Sequence, residues 1–217
     1  VVRVLEQALG ASSLDRVLVA ADDPRILRAV AAAGGEARST PVGLASGSDR
    51  AAFAARELAA GGERFEVIVN IQGDEPFLPP EAIDAAVALL GANPTTAVAT
   101  LGTPLDPEAL HRPDVVKAVL DPDGRAVDFL RTPPEAGARV VRHVGLYAYR
   151  ARYLERFVGL RPSRRETVER LEQHRILADG AEIRVAIGSW PVLGVDTPRD
   201  LEEARRRLAV EAHGREG

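Results

Sequence analysis

From residue 16 to residue 101 the chain alternates short β-forming runs with helix-patterned stretches, and few folds accept that rhythm. Residues 16–21 read as a strand. Asp23 and Pro24 then open a helix to residue 33, because Asp caps orphan amides and Pro suits the first helical turn. Gly34 and Gly35 end it, and a loop over residues 39–48 leads into a helix over about 49–60. Val67, Ile68 and Val69 form the next strand, Pro79 and Pro80 start a helix to residue 90, and a strand follows over 97–101. Helices about as long as one crossover needs are the signature of βαβ units and a parallel sheet. Ahead of them, Val1, Val4, Leu5 and Ala8 have helical spacing, with Gly10 as the stop.

After Val115 the rhythm changes. Residues 115–120, 126–130 and 140–149 read as strands with no helix between them, and Asp121-Pro122-Asp123-Gly124 predicts a hairpin turn. Helices return over about 153–158 and 165–178, then a strand over 182–187 and a last helix from Pro198 to about Val210. No repeat, low-complexity tract or linker interrupts the chain. A single domain over residues 1–217 is expected, α/β in class, with a β-rich insertion at about 115–150.

Composition narrows the function classes. A net charge of −4 argues against a general nucleic-acid surface and an anionic membrane surface. No apolar stretch has the length of a bilayer span, and no basic-then-apolar leader opens the chain. Without cysteine there is no disulfide and no thiolate metal site, and the four histidines show no metal-ligand spacing. Cytoplasm is the default expectation. Methionine is absent even at position 1, so the natural chain is expected to extend upstream.

Five segments could carry chemistry. Gln72-Gly73-Asp74 falls where the strand at Val67 leaves the sheet, the edge at which α/β sheets collect ligands. Gly73 lets a ligand approach the backbone, and Asp74 either caps a turn or holds a hard cation such as Mg²⁺. Ser46-Gly47-Ser48-Asp49-Arg50 precedes a helix, and serves either as its cap or as an anion- and base-binding turn. His143, Gly145, Tyr147 and Tyr149 share one face of a strand by the period of two, a face suited to a sugar-sized polar ligand or to a plain sheet surface. Leu171-Glu172-Gln173-His174-Arg175 sits mid-helix, where a solvated face is the simple reading. Asp196, ahead of Pro198, is a helix cap or a second carboxylate for an ion at Asp74.

Taken in order, these segments resemble the 3-deoxy-manno-octulosonate (Kdo) cytidylyltransferases, also called CMP-Kdo synthetases. The likeness begins at Asp22-Asp23-Pro24-Arg25-Ile26 and runs through the Ser46 and Val69 to Pro76 segments to Val115-Val116-Lys117. It continues through Arg142 to Tyr149, Leu171-Glu172-Gln173 and Gly194-Val195-Asp196-Thr197-Pro198. The resemblance implies a nucleotide-diphospho-sugar-transferase-like fold, with a doubly wound, mostly parallel sheet and a β-rich dimerisation insertion. It implies Mg²⁺-dependent transfer of CMP from CTP to the anomeric oxygen of Kdo, by a cytoplasmic homodimer serving lipopolysaccharide synthesis. By position, Ser46, Gly47, Asp49 and Arg50 would line the cytidine pocket, and Asp74 and Asp196 would carry catalysis as Mg²⁺ ligands. Gln72, Arg131, His143, Tyr147, Glu172 and Gln173 would surround the sugar acid. The family's first strand and its Gly/Arg/Lys triphosphate loop would precede Val1, the stretch from Pro133 to Arg139 is short, and Ser48 stands where Thr is usual. The alternatives are a cytidylyltransferase for a related sugar acid (an 8-amino Kdo analogue or a sialic acid) and a non-catalytic nucleotide-binding module.

Overall fold

The computed structural model describes residues 1–191, 193–195 and 197–214. In chain order the elements are α1 (Val2–Leu9), β1 (Val19–Ala21), α2 (Pro24–Ala32), β2 (Ala37–Ser39), α3 (Gly47–Ala60), β3 (Val67–Ile71), α4 (Pro80–Ala92) and β4 (Val98–Thr103). A 3₁₀ turn (Pro107–His111) leads to β5 (Lys117–Leu120), β6 (Ala126–Leu130) and the long β7 (Arg139–Arg150). The chain continues through α5 (Ala151–Gly159), α6 (Arg164–Glu169), α7 (Gln173–Ala178), β8 (Ile183–Ile187) and α8 (Pro198–Gly214). The caps follow local chemistry. Asp23 accepts from the Arg25 amide at the start of α2, and Ser163 and Glu166 form a reciprocal capping box on α6.

β4 pairs with β8 in parallel, and β3 and β4 both pair antiparallel to β7, so β3, β4 and β8 run in one direction. The turn at Asp121 to Gly124 joins β5 and β6 as the expected hairpin, and β5 also pairs antiparallel with β7. Sheet faces follow the period of two along β7. Val144, Leu146 and Ala148 face α4 with Leu78, Ile83 and Leu90, while Tyr147 and Tyr149 pack with Leu154 and Phe157 on the opposite side. Both faces of the sheet are thus covered by helices.

β1 and β2 pair in parallel as a separate ribbon. Residues of β1 and β3 together line a cavity of about 980 Å³ that reaches from Val1 and Leu5 to Gly47, Arg50 and Gln72. Among the described residues, β3 has β7 as its sole strand partner, and β1 has β2.

Two elements depart from the sequence expectation. Residues 37–39, expected as part of a connection, form β2, because three residues suffice once β1 offers an edge. The helix expected over 165–178 is broken into α6 and α7. Arg170 adopts φ 55°, ψ 45°, a left-handed conformation that ends α6 while its amide donates to the Glu166 carbonyl at 2.7 Å. Glu172 and Gln173 therefore lie at the entrance to α7 rather than on a solvated helix face, and Gln173 is buried.

Candidate functional site

The edge of β7 changes partner at its middle. His143 N donates to Val116 O, next to β5, at 2.9 Å, and Gln72 N, just past β3, donates to Gly145 O at 3.3 Å. Between those two bonds β3 has ended and β5 has not yet begun along this edge of β7, and the ground beyond a strand's carboxyl end is where α/β sheets place ligands. A Cβ at Gly145 would come within 2.9 Å of Gln72 Cγ, so glycine here lets the Gln72 side chain keep its position.

The aromatic face of β7 lines this split. The rings of His143 and Tyr147 are centred 5.5 Å apart, those of Tyr147 and Tyr149 lie 5.9 Å apart, and Phe129 meets His143 edge-on at 5.2 Å. Thr100 donates its one proton to Leu146 O at 2.6 Å, so its oxygen accepts from His143 Nε2 at 2.9 Å. That bond fixes the Nε2–H tautomer. Burial pushes the His143 pKa down to about 3, which keeps the ring neutral at physiological pH.

The helix break supplies the opposite wall. Gln173 Nε2 donates to the Tyr147 hydroxyl, and Glu172 Oε1 accepts from Ser48 Oγ at 3.0 Å. Gln173 Oε1 and Glu172 Oε2 are buried acceptors with no hydrogen-bond partner among the described residues. Such atoms are costly unless a ligand brings donors to them. Burial raises the Glu172 pKa, and the bond from Ser48 opposes that rise.

The turn before α3 is both a cap and a junction. Ser46 Oγ accepts from Asp49 N at 3.2 Å and bonds Asp49 Oδ2 at 2.9 Å, so both side chains serve the helix end. Gly47 lies against Asn70 at the end of β3, and a Cβ there would sit 3.1 Å from Asn70 Nδ2. Arg50 reaches Asp22 Oδ2 at 2.9 Å and also donates to Thr40 Oγ1. It thereby ties the ends of β1 and β2 to α3.

Asp74 is half-buried at the loop beyond β3, and its carbonyl accepts from Val195 N at 2.9 Å. That bond brings the segment preceding Asp196 against Asp74; Asp196 itself lies outside the described residues. No group of three or more His, Cys, Asp or Glu side chains arranged to hold a metal occurs among the described residues. Mg²⁺ commonly takes one or two carboxylates and fills its remaining positions with water and substrate phosphate, so a hard oxygen donor at Asp74 fits that ion. Arg131 is positioned differently from a free fork: its Nε donates to Glu169 O at 3.3 Å and its Nη1 to Pro113 O at 3.1 Å.

The structure therefore sets two hydrogen-bonded pairs side by side, Ser48 with Glu172 and Tyr147 with Gln173, with the His143 ring against Tyr147 and with Gln72 and Asp74 at the adjoining strand end. Sequence motifs included Ser48, Asn70 and Asp22 without giving them a role of their own, and did not single out Thr40. Of these, Asp22 carried a signal, since it follows β1 as Asp74 follows β3.

Residues 1–183 match the family described as Cytidylyltransferase. The 3-deoxy-manno-octulosonate cytidylyltransferase of Anaeromyxobacter dehalogenans (strain 2CP-C) is 46% identical over 218 residues, covering 98% of this chain and 88% of the relative. That of Verminephrobacter eiseniae (strain EF01-2) is 44% identical over 234 residues, covering 96% and 84%. Among solved structures, a CMP:2-keto-3-deoxy-manno-octonic acid synthetase complexed with CTP superposes with a TM-score of 0.88 at 34% identity, covering 96% of this chain and 87% of that one. A 4-diphosphocytidyl-2C-methyl-D-erythritol synthase shares the fold at a TM-score of 0.62 and 16% identity, covering 94% and 88%. With a matched family over most of its length and relatives this similar, the chain belongs to the 3-deoxy-manno-octulosonate cytidylyltransferase family.

Proposed function

We propose that this chain transfers CMP from CTP to the anomeric oxygen of Kdo, releasing pyrophosphate and supplying CMP-Kdo for lipopolysaccharide synthesis. The observation that carries the reading is the pair of buried acceptors, Glu172 Oε2 and Gln173 Oε1, next to Tyr147 and His143. A polyhydroxylated sugar acid brings the donors they lack. Attack of the anomeric oxygen on the α-phosphorus forms one P–O bond and breaks the bond to pyrophosphate, and it needs in-line placement more than a covalent nucleophile. Glu172, Gln173, Tyr147, His143 and Gln72 orient the sugar in this reading, with Arg131 toward its carboxylate. Ser46, Gly47, Asp49 and Arg50 hold the cytidine end. Asp74 and Asp196 would hold Mg²⁺, which supplies charge neutralisation at the transferred phosphate. A homodimer and a cytoplasmic setting belong to the same reading. Among the described residues, no helix is long and apolar enough to cross a membrane.

The test is pyrophosphate release by the purified protein across each nucleoside triphosphate and each sugar acid. CTP with Kdo is expected to be fastest. Faster turnover of an 8-amino Kdo analogue or a sialic acid would move the substrate assignment, and release from no combination would leave the binding-module alternative. Arg50→Ala addresses the nucleotide side. Removing the tie from Asp22 and Thr40 to α3 is expected to weaken CTP binding about tenfold while Kdo binding changes less. Calorimetry with each substrate measures both, and a larger loss for Kdo would overturn the pocket assignment.

A further inference from the structure

Ser48 is fully buried and its hydroxyl meets side chains from three other parts of the fold. Tyr149 OH on β7 lies 3.0 Å away, Glu172 Oε1 at the entrance to α7 lies 3.0 Å away, and Asn70 Nδ2 on β3 lies 3.4 Å away. A serine hydroxyl has one proton to give and two lone pairs to accept with. An ionised Glu172 is acceptor-only and takes that proton. Tyr149 and the Asn70 amide must then both donate to Ser48, so all bonding capacity at this oxygen is used and its direction is set. Ser48 itself belongs to the turn whose neighbours Gly47, Asp49 and Arg50 form the nucleotide side.

We propose that Ser48 is a positioning residue for the sugar acid, holding one oxygen of Glu172 so that the other, Oε2, faces the ligand hydroxyls. The proposal rests on the reading of Glu172 as a sugar contact. It places Ser48 functionally with the sugar acid, although its sequence motif belongs to the nucleotide. The charged and titratable groups around Glu172 are Arg175 on α7, Glu166 on α6, and Tyr147 and Tyr149 on β7. Arg175 is bonded to Glu166 at 2.8 Å, and the neutral donors that favour the Glu172 carboxylate are Ser48 first and Ser46 second.

The experiment measures kcat and KM for both substrates in the native protein, Ser48→Ala, Ser48→Thr, Glu172→Gln and the double variant Ser48→Ala/Glu172→Gln. Ser48→Ala is expected to raise KM for Kdo about tenfold and leave KM for CTP within about twofold. Ser48→Thr, which keeps the hydroxyl, is expected to restore most of the loss. The acid limb of the KM profile for Kdo is expected to move to higher pH in Ser48→Ala, because Glu172 loses a bond that favours its ionised form. In the Glu172→Gln background the Ser48 change is expected to add little. An equal or larger rise in KM for CTP, an unmoved pH profile, or full additivity in the double variant overturns the positioning role. If the native protein turns over CTP and Kdo while these signatures are missing, the Ser48 proposal fails alone. If the native protein does not turn them over, the functional reading fails and takes this proposal with it.

Discussion

Asp74→Asn is expected to reduce pyrophosphate release from CTP and Kdo by on the order of 100-fold or more while leaving the fold intact. The change is isosteric, and the bond from Val195 N to the backbone carbonyl, 2.9 Å, is kept whichever side chain is present. What changes is one hard, charged oxygen donor for an ion that favours carboxylates. The effect should therefore appear in metal binding as well as in turnover. Added Mg²⁺ is expected to raise the melting temperature of the native protein, since a ligand bound only by the folded state stabilises it, and this rise should be lost in Asp74→Asn. Near-native turnover in the variant, or an undiminished Mg²⁺-induced shift, contradicts the metal assignment.

How much of this was legible before the structure depends on the range of the interactions concerned. Local chemistry announced its own elements. Asp23-Pro24 opens α2, Asp121 to Gly124 turns β5 into β6, and β-branched residues 67–69 lie in β3. The period of two correctly placed His143, Tyr147 and Tyr149 on one face of β7, as their successive ring contacts show. The break between α6 and α7 carried no comparable signal, because Arg170 is neither Gly nor Asn and no proline follows. Tertiary and local bonds accompany it: Arg165 pairs with Asp128 on β6 at 2.7 Å, and His174 Nε2 reaches back across the break to Glu169 at 3.1 Å. Helical propensity is a weak prior against such anchoring. The same limit hid the role of Ser48, whose partners Tyr149 and Glu172 lie 101 and 124 residues away in sequence.

In the proposed function the break lets one face of the sheet serve two substrates. A continuous helix over 165–178 would carry Glu172 and Gln173 around with its own period of 3.6 residues, without regard to β7. Ending α6 at a left-handed residue resets that phase. Gln173 then meets Tyr147 while Glu172 meets Ser48, which sets the residues proposed for the sugar beside the turn proposed for the nucleotide. Buried bonds of this kind penalise any missing partner, which makes their geometry specific.

Lys117→Met is expected to give the largest loss of stability of any single change near the site. Lys117 is the chain's only lysine and is completely buried. Its ammonium donates to the carbonyls of Arg112 at 2.8 Å, Val115 at 2.9 Å and Arg131 at 2.8 Å, using all three of its protons. Methionine matches the length of the stem but offers no donor, so three carbonyls lose a charge-assisted bond at once. The expected cost is about 3 kcal/mol, which at this chain length lowers the melting temperature by roughly 6–12 °C. Lys117→Arg should not rescue it, because a planar fork cannot point three donors at carbonyls arranged around a tetrahedral centre. A functional loss accompanies the structural one. The carbonyl of Pro113, in the loop held by Lys117, accepts from Arg131 Nη1, so loosening that loop frees the guanidinium read here as the sugar-acid contact. Thermal unfolding of both variants, with KM for Kdo measured well below their melting temperatures, separates the two effects. A melting temperature within about 2 °C of native in Lys117→Met shows that the three bonds are replaced by water at little cost, and it removes Lys117 as the brace of Arg131.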